Sequence, residues 1–417
     1  MKIKVVEKSF RDVMAITPPA HKRPLKQRLP FRLLLKLVSK GDIKACKVTY
    51  REEGMEKISG RPALVLMNHS SFIDLKIASD YLYPRPFSIV CTSDGFVGKY
   101  GLMRRLGCIP TEKFVTSPTL VKDIAYTLRN LSQNVLMYPE TSYTFDGTAT
   151  PLPEGLGKLV KLLKAPVVTI ISHGAFLRDP LYNGLQLRKV NVDCDVNCLL
   201  TPEEIDKFTA EEINARLKEA FTFDNFRWQQ AHRIRVDEPF RADGLNRVLY
   251  KCPHCGAEGK TVGRGEFLTC AACGKKWRLT EYGALEAEDG KTEYAHIPDW
   301  YAWEREEVRR EIAEGRYLLD VPVDIRMMVD YRAIYSVGSG RLVHDQAGFR
   351  LTGCGGELDY TQRPAASYGL YADYYWYELG DMICIGDSRA LYYCFPKECG
   401  DIVAKTRLAA EELYKMA

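Results

Sequence analysis

The stretch Asn68-His69-Ser70-Ser71-Phe72-Ile73-Asp74 sets an imidazole and a carboxylate five residues apart. The imidazole can take a proton near neutral pH. A carboxylate held beside it fixes the ring's tautomer and stabilises the imidazolium that forms. No activated serine or cysteine signature accompanies the pair. His69 and Asp74 therefore suit deprotonation of a substrate hydroxyl, with no covalent enzyme intermediate. About seventy residues on, the run Val135-Leu136-Met137-Tyr138-Pro139 ends in a polar turn that carries Glu140, Thr141 and Ser142.

Elements must hold these turns. Each follows an apolar run of strand length. Between residues 60 and 175 such runs recur at 63–67, 87–91, 135–138 and 167–171, with helical stretches at 123–131 and 155–163. This alternation predicts an α/β domain with a largely parallel sheet. In an open α/β sheet, strand ends carry the site. His173, just past the last run, is expected to be structural. Thr201-Pro202-Glu203-Glu204 starts a helix, with Thr201 as cap, and the helical segment is expected to run to about residue 225.

The two turns, in this order and at this distance, resemble those of the glycerolipid acyltransferases typified by bacterial lysophosphatidate acyltransferase. The family's N-H-x-x-x-x-D matches Asn68, His69 and Asp74. Its G-x-x-x-x-x-R is approximated by Gly107-Cys108-Ile109-Pro110-Thr111-Glu112-Lys113. Its F-P-E-G-T-R is approximated by Tyr138-Pro139-Glu140-Thr141-Ser142-Tyr143, and its apolar V-P-V-V-P strand by Ala165-Pro166-Val167-Val168-Thr169-Ile170. The resemblance spans residues 30 to 245. It implies an O-acyltransferase of phospholipid biosynthesis or remodelling. The acyl group would move from a thioester donor, acyl-CoA or acyl carrier protein, to the hydroxyl of a lysophospholipid-like acceptor. It makes His69 the general base and Asp74 its orienting partner, with Asn68, Lys113, Glu140, Thr141, Ser142 and Tyr143 holding the acceptor. The departures bear on that acceptor. Lys113 keeps a charge where the family has arginine but loses the bidentate fork. Tyr143 keeps only a neutral hydroxyl. Thr141 stands where the family has glycine. A lysolipid with a larger or less charged head group than lysophosphatidate is expected. The alternative is a non-catalytic peripheral membrane adaptor that retains the fold.

Composition frames this reading. The chain has 417 residues, 46% hydrophobic and 27% charged, with a net charge of +5. That is ordinary for a globular protein of two to three domains. No signal-peptide pattern opens the sequence and no apolar run approaches a membrane span. The expected location is the cytoplasmic face of a membrane, held peripherally. Residues 21–40 carry seven Lys or Arg and no acid. Within them Phe31, Leu34, Leu35 and Val38 follow helical spacing, Leu33 and Leu37 widen the arc, and Arg32, Lys36 and Lys40 recur on the other side. Pro30 suits the helix start and Gly41 its end. The pattern predicts a helix lying in a lipid interface. Packing on the core with a solvated basic edge is the other arrangement.

Cys252-Pro253-His254-Cys255 and Cys270-Ala271-Ala272-Cys273 form two knuckles fourteen residues apart, each followed by glycine. Four thiolates at this spacing predict a structural Zn²⁺ site in a zinc ribbon, with His254 not a ligand and strands at 248–251, 266–269 and 276–279. Acidic neighbours (Glu258, Glu266, Glu281, Glu286, Glu288, Asp289) and the lack of a basic aromatic stripe argue against nucleic acid. The ribbon is expected to be a spacer or protein-contact module.

From residue 299 a charged helix runs to about residue 315. Strand-like runs follow at 322–329, 341–344, 348–352, 371–378, 382–386 and 390–395, punctuated by turns at Gly338-Ser339-Gly340 and Gly355-Gly356, then a helix over 401–416. This order resembles a pleckstrin-homology-like or GRAM-like domain, which leaves the segment as a lipid or protein contact. Tyr368, Tyr371, Tyr374, Tyr375 and Tyr377 are expected to pack within that sheet. The expected organisation is an acyltransferase-type domain over 1–246, a zinc ribbon over 247–296 and a helix plus mostly antiparallel β domain over 297–417.

Overall fold

In a computed structural model of the chain, residues 3–58, 60–115, 117–397 and 401–417 are described. A short strand β1 (Val5–Glu7) and helix α1 (Phe10–Met14) precede the long helix α2 (Leu29–Ala45). A seven-stranded sheet follows, built of β2 (Thr49–Glu53), β3 (Leu64–Met67), β4 (Phe87–Thr92), β5 (Cys108–Thr111), β6 (Asn134–Met137), β7 (Val167–His173) and β8 (Asp193–Leu200). Its order is β2-β8-β7-β3-β6-β4-β5, and every neighbouring pair is parallel except β7 with β8. The largely parallel sheet expected from the sequence is thus present, with one antiparallel pairing.

Strand β3 shows why both faces are covered. All four of its residues are buried. Val65 and Met67 point one way, onto Ile77, Ala78 and Leu82 of α3 (Asp74–Leu82), with α4 (Tyr100–Arg105) on the same side. Leu64 and Leu66 point the other way, onto Ile124 and Leu128 of α5 (Pro118–Arg129) and Val160 of α6 (Leu156–Leu163). Side chains alternate along a strand, so a strand buried on both faces reads as a continuous apolar run. Helix α5 starts five residues before the expected position because the Ser117 hydroxyl caps it, accepting from Leu120 N at 3.2 Å, with Pro118 in the first turn. A short α7 (Ala175–Arg178) follows β7. The segment after Thr201 is not one helix. Capping boxes at Thr201/Glu204 and Thr209/Glu212 start α8 (Pro202–Lys207) and α9 (Ala210–Ala220) separately, and Asp224 caps α10 (Asn225–Ala231).

The cysteine knuckles belong to a four-stranded antiparallel sheet of β9 (Thr261–Arg264), β10 (Phe267–Cys270), β11 (Lys276–Leu279) and β12 (Leu285–Ala287). The strand expected at 248–251 is absent. Val248 N and Leu249 N donate to Leu245 O in a helical turn, which buries Val248, Leu249 and Tyr250 in the core. Helix α11 (Ile297–Ala313) packs Trp300 against Trp277 of β11, rings 5.0 Å apart.

The last sheet contains β13 (Leu319–Met328), β14 (Ile334–Asp345), β15 (Gly348–Gly353), β16 (Leu358–Gln362), β17 (Tyr371–Asp373), β18 (Met382–Gly386) and β19 (Leu391–Pro396), followed by α12 (Val403–Met416). The order is β16-β15-β14-β13-β19-β18-β17, antiparallel throughout. Three features depart from the sequence reading. First, β1 lies parallel to the start of β14, where β15 does not reach, so residues 5–7 join this sheet and not the 1–246 segment. An open strand edge is thereby covered. Second, Gly338-Ser339-Gly340 is not a turn but the middle of β14. A Cβ on Gly340 would lie 2.1 Å from Thr352 O, so the glycine permits close strand approach. Third, the 371–378 run leaves the strand after Asp373, because Tyr375 and Tyr377 take positive φ of 52° and 47°.

Candidate active site

The loop from β3 to α3 is fixed from several sides. Asn68 is fully buried. Its amide donates to Ser172 O at 3.0 Å, and its carbonyl accepts from Ser172 N at 2.8 Å, pinning the end of β3 to β7. Asp74 opens α3 and turns its carboxyl back on the loop. Its Oδ2 accepts from Ser70 N at 2.8 Å and Ser71 N at 3.0 Å, and lies 3.0 Å from His69 Nδ1. A ring N–H at Nδ1 donating to Asp74 leaves Nε2 with its lone pair free. The His69 ring sits between two tyrosines, 4.0 Å from Tyr138 and 3.8 Å from Tyr143.

Burial sets the charges. It holds the His69 pKa well below the usual imidazole range, and the nearby Lys113 cation adds to this. Burial also pushes Asp74 up to about 8, against the two backbone donors. Its Oδ1 is buried with no hydrogen-bond partner among the described residues. Any proton on the pair therefore rests on Asp74 before His69, and the imidazole is neutral. The arrangement can accept a proton at Nε2.

Glu140 is placed otherwise than the family resemblance implies. Its Oε1 accepts from His69 N at 3.0 Å, and its Oε2 accepts from Thr150 N at 2.8 Å and Thr150 Oγ1 at 2.9 Å. Both oxygens are occupied by the protein and the side chain is 1% exposed, so Glu140 braces the His69 loop and does not face a substrate. Burial pushes its carboxyl up to about 7. Asn68 and Ser142 are likewise buried and do not line the cavity described next. Of the expected acceptor-binding residues, Lys113, Thr141 and Tyr143 do line it.

That cavity, about 700 Å³, opens above His69. Its size is typical of ligand pockets. Gly107 (φ +93°) turns the chain into β5, where a Cβ would meet Phe87 O at 2.7 Å. The strand then delivers Lys113, whose Nζ lies 4.1 Å from the Tyr371 ring centroid. Thr141 takes the left-handed conformation (φ +63°) that the family's glycine would adopt freely. Its hydroxyl compensates by bonding Tyr368 at 2.6 Å.

Tyrosines 368, 371, 374, 375 and 377 all line this cavity; Tyr371 and Tyr374 also pack in the core as expected, and the other three depart from that expectation. The available signal was their spacing. Strand packing selects one parity, and these five occupy both. The sequence reading also missed Tyr138, Thr150, Asp373 and Arg407. Arg407, on α12, donates to Tyr143 O at 2.8 Å and holds the ring-bearing loop from the far end of the chain.

At the second expected site, the sulfurs of Cys252, Cys255, Cys270 and Cys273 lie within 4.8 Å of one another. Cys252–Cys273 and Cys255–Cys270 are each 3.8 Å apart. Sulfurs about 2.3 Å from a tetrahedral centre are separated by about 3.8 Å, so this donor set can hold a metal.

No curated protein matches the chain. Among solved structures, it is similar to the 1-acyl-sn-glycerophosphate (LPA) acyltransferase PlsC of Thermotoga maritima, at 17% identity, over 45% of this chain and 79% of that one, with a TM-score of 0.35. Residues 49–173 match the family described as Acyltransferase, a span running from the first residue of β2 to the last of β7. That segment, which holds His69, Asp74 and Lys113, makes the chain similar to the acyltransferase family over this part of its length and supports an acyltransferase enzyme.

Proposed function

We propose that the enzyme moves a fatty acyl group from a thioester donor to the hydroxyl of a lysophospholipid-like acceptor at a membrane surface. One observation carries this reading: the His69 imidazole, backed by Asp74 at 3.0 Å, borders a large cavity that is also lined by Lys113. His69 Nε2 takes the proton of the acceptor hydroxyl. The oxygen attacks the thioester carbonyl, the C–S bond breaks, and the imidazolium returns its proton to the leaving sulfur. Asp74 steadies the imidazolium while it exists. Lys113 faces the acceptor's phosphate or the donor's, and Thr141 and Tyr143 shape the acceptor side. Glu140 acts through His69 as a positioning residue. The adaptor alternative finds no observation in its favour.

Helix α2 supports the membrane part of this reading. Leu35 packs against the core and Phe31 is half-buried, and the basic edge turns inward too: Arg32 donates to Pro84 O and Lys36 pairs with Asp80 at 2.5 Å. The helix also continues through Gly41 to Ala45 instead of ending there. What it exposes is an apolar ridge of Leu33, Leu34, Leu37 and Val38, between 44% and 60% exposed. A contiguous apolar ridge marks an interaction surface. No helix among the described residues is long and apolar enough to cross a membrane. Zinc held by the four clustered cysteines completes the proposal, with a structural role.

The deciding assay is release of free thiol from acyl thioesters by the purified protein in the presence of a lysolipid panel. Turnover with at least one lysolipid is expected, and its absence with every donor and acceptor would overturn the reading.

A further inference from the structure

The cavity above His69 has two chemically different halves. The seven-stranded sheet and its helices contribute Leu75, Ile89, Val90, Leu120 and Met137, an apolar wall suited to an acyl chain. The C-terminal sheet contributes Tyr371, Asp373, Trp376 and Tyr377. Trp376 and Tyr377 meet edge to face, 4.8 Å apart at 89°, and form a corner of the aromatic half.

Four acidic residues line the cavity, Asp94, Glu112, Asp373 and Glu378, and Asp94 and Asp373 are used differently. Asp94 is spent: its Oδ1 accepts from Thr92 Oγ1 at 2.7 Å, and its Oδ2 accepts from the Tyr371 hydroxyl at 2.6 Å and Trp376 Nε1 at 3.3 Å. It orients the two rings. Asp373 is only partly spent, its carboxyl accepting from the Tyr374 backbone N–H. Its Oδ1 is buried with no hydrogen-bond partner among the described residues. Burial pushes its carboxyl up to about 7, with Lys113 opposing. A buried carboxylate oxygen left without a partner is costly and calls for an explanation. Lys113 stands across from it and forms no ion pair among the described residues, its ammonium resting against the Tyr371 ring. The cavity therefore presents a cation and an anion that form no ion pair, among aromatic lining residues that can also receive a cation.

Resting on the acyltransferase reading of this cavity, we infer that the C-terminal sheet supplies a head-group subsite for a zwitterionic, amine-bearing lysolipid. Lys113 takes the phosphate. Asp373, walled by Tyr371, Trp376 and Tyr377, takes the ammonium. This accounts for the loss of the family's arginines: one point charge suffices for a phosphate diester that carries its own counter-charge, whereas a bidentate fork suits a phosphate monoester. It also gives the C-terminal sheet a role in substrate choice.

Binding tests this without needing turnover. The full-length, zinc-loaded protein is titrated calorimetrically with dodecylphosphoethanolamine and with dodecyl phosphate, below their micelle concentrations. The amine-bearing probe is expected to bind about tenfold tighter or more. Asp373→Asn should erase that preference while leaving dodecyl phosphate affinity within twofold, and Lys113→Met should weaken both probes. A thermal melt of each variant separates misfolding from lost binding, and Asp373→Glu should restore part of the preference. Equal affinity of the wild type for the two probes, tighter binding of dodecyl phosphate, or a preference that survives Asp373→Asn would overturn the inference. These results are independent of acyl transfer. A lost preference alongside measurable transfer overturns only the subsite, whereas a clear preference without any transfer overturns only the reaction.

Discussion

At the scale of single residues, the pair His69 and Asp74 is separated by five positions in sequence and 3.0 Å in space. The turn that closes this gap is made by Asp74 itself, through the backbone N–H groups of Ser70 and Ser71. His69→Ala should lower kcat/KM by a factor of about 10² to 10⁴, the usual worth of a general base. The pH dependence follows from the two shifts. His69 has its pKa lowered, so it stays neutral across the physiological range and contributes no inflection near 6.5. Asp74 has its pKa raised to about 8, so its ionisation, which steadies the imidazolium, grows as pH rises toward that value. The kcat/KM profile should climb through the region near pH 8, and Asp74→Asn should flatten it. A half-loss centred at 6.5 that survives in Asp74→Asn would contradict these assignments. Sequence spacing revealed this pair because motif and chemistry coincide within one loop. The family resemblance placed Glu140, Asn68 and Ser142 on the substrate, because polar residues at a strand end look alike until their partners are known. Asn68 and Glu140 are held by backbone groups up to 104 residues away, and Ser142 is buried.

At the scale of elements, period and capping made most of the first sheet legible. The boundaries that moved did so for local reasons: the Ser117 cap for α5, and a second capping box at Thr209 that splits α8 from α9. Helix α2 was visible as amphipathic, but which face turned outward depended on Asp80 and Pro84, which lie on the far side of β3 in sequence. Leu33→Glu with Leu37→Glu should reduce sedimentation with liposomes by about tenfold or more, while transfer to an acceptor presented in detergent stays within twofold. Unchanged liposome binding would remove α2 from the membrane contact. The ribbon's cysteines were legible from spacing alone, since four thiolates need no tertiary context to be recognised. Its placement was not. Cys252, Cys270 and Trp277 lie in the same apolar cluster as Trp300 of α11, and Lys251 N donates to Glu304 at 2.8 Å. Chelation of a metal held by these four cysteines should therefore lower the melting temperature of the whole chain, not of a detached module. Differential scanning calorimetry would show one shifted transition, and an unshifted main transition would contradict this.

At the scale of the whole molecule, the C-terminal segment closes on the catalytic cavity. Thr141 bonds Tyr368 across 227 residues, and Asp94 accepts from Tyr371 across 277. Arg407 reaches Tyr143 across 264. Contacts at such separations leave no periodic trace in sequence, so the tyrosine cluster looked like strand packing. Helices α11 and α12 lock this closure through ion pairs of Arg305 with Glu411 at 2.7 Å and Arg309 with Glu412 at 3.0 Å. Trp300 is fully buried at the junction of ribbon, α11 and the apolar core. Trp300→Ala should cost about 3 to 5 kcal/mol of stability, measured by denaturant unfolding. The proposed acyl transfer rests in the end on His69. The most direct measurement compares wild-type and His69→Ala full-length protein, both zinc-loaded and equally folded by circular dichroism, for thioester consumption with a lysolipid acceptor. Turnover by the wild type and a loss of at least about a hundredfold in the variant are predicted. Equal rates from the two proteins would contradict the mechanism.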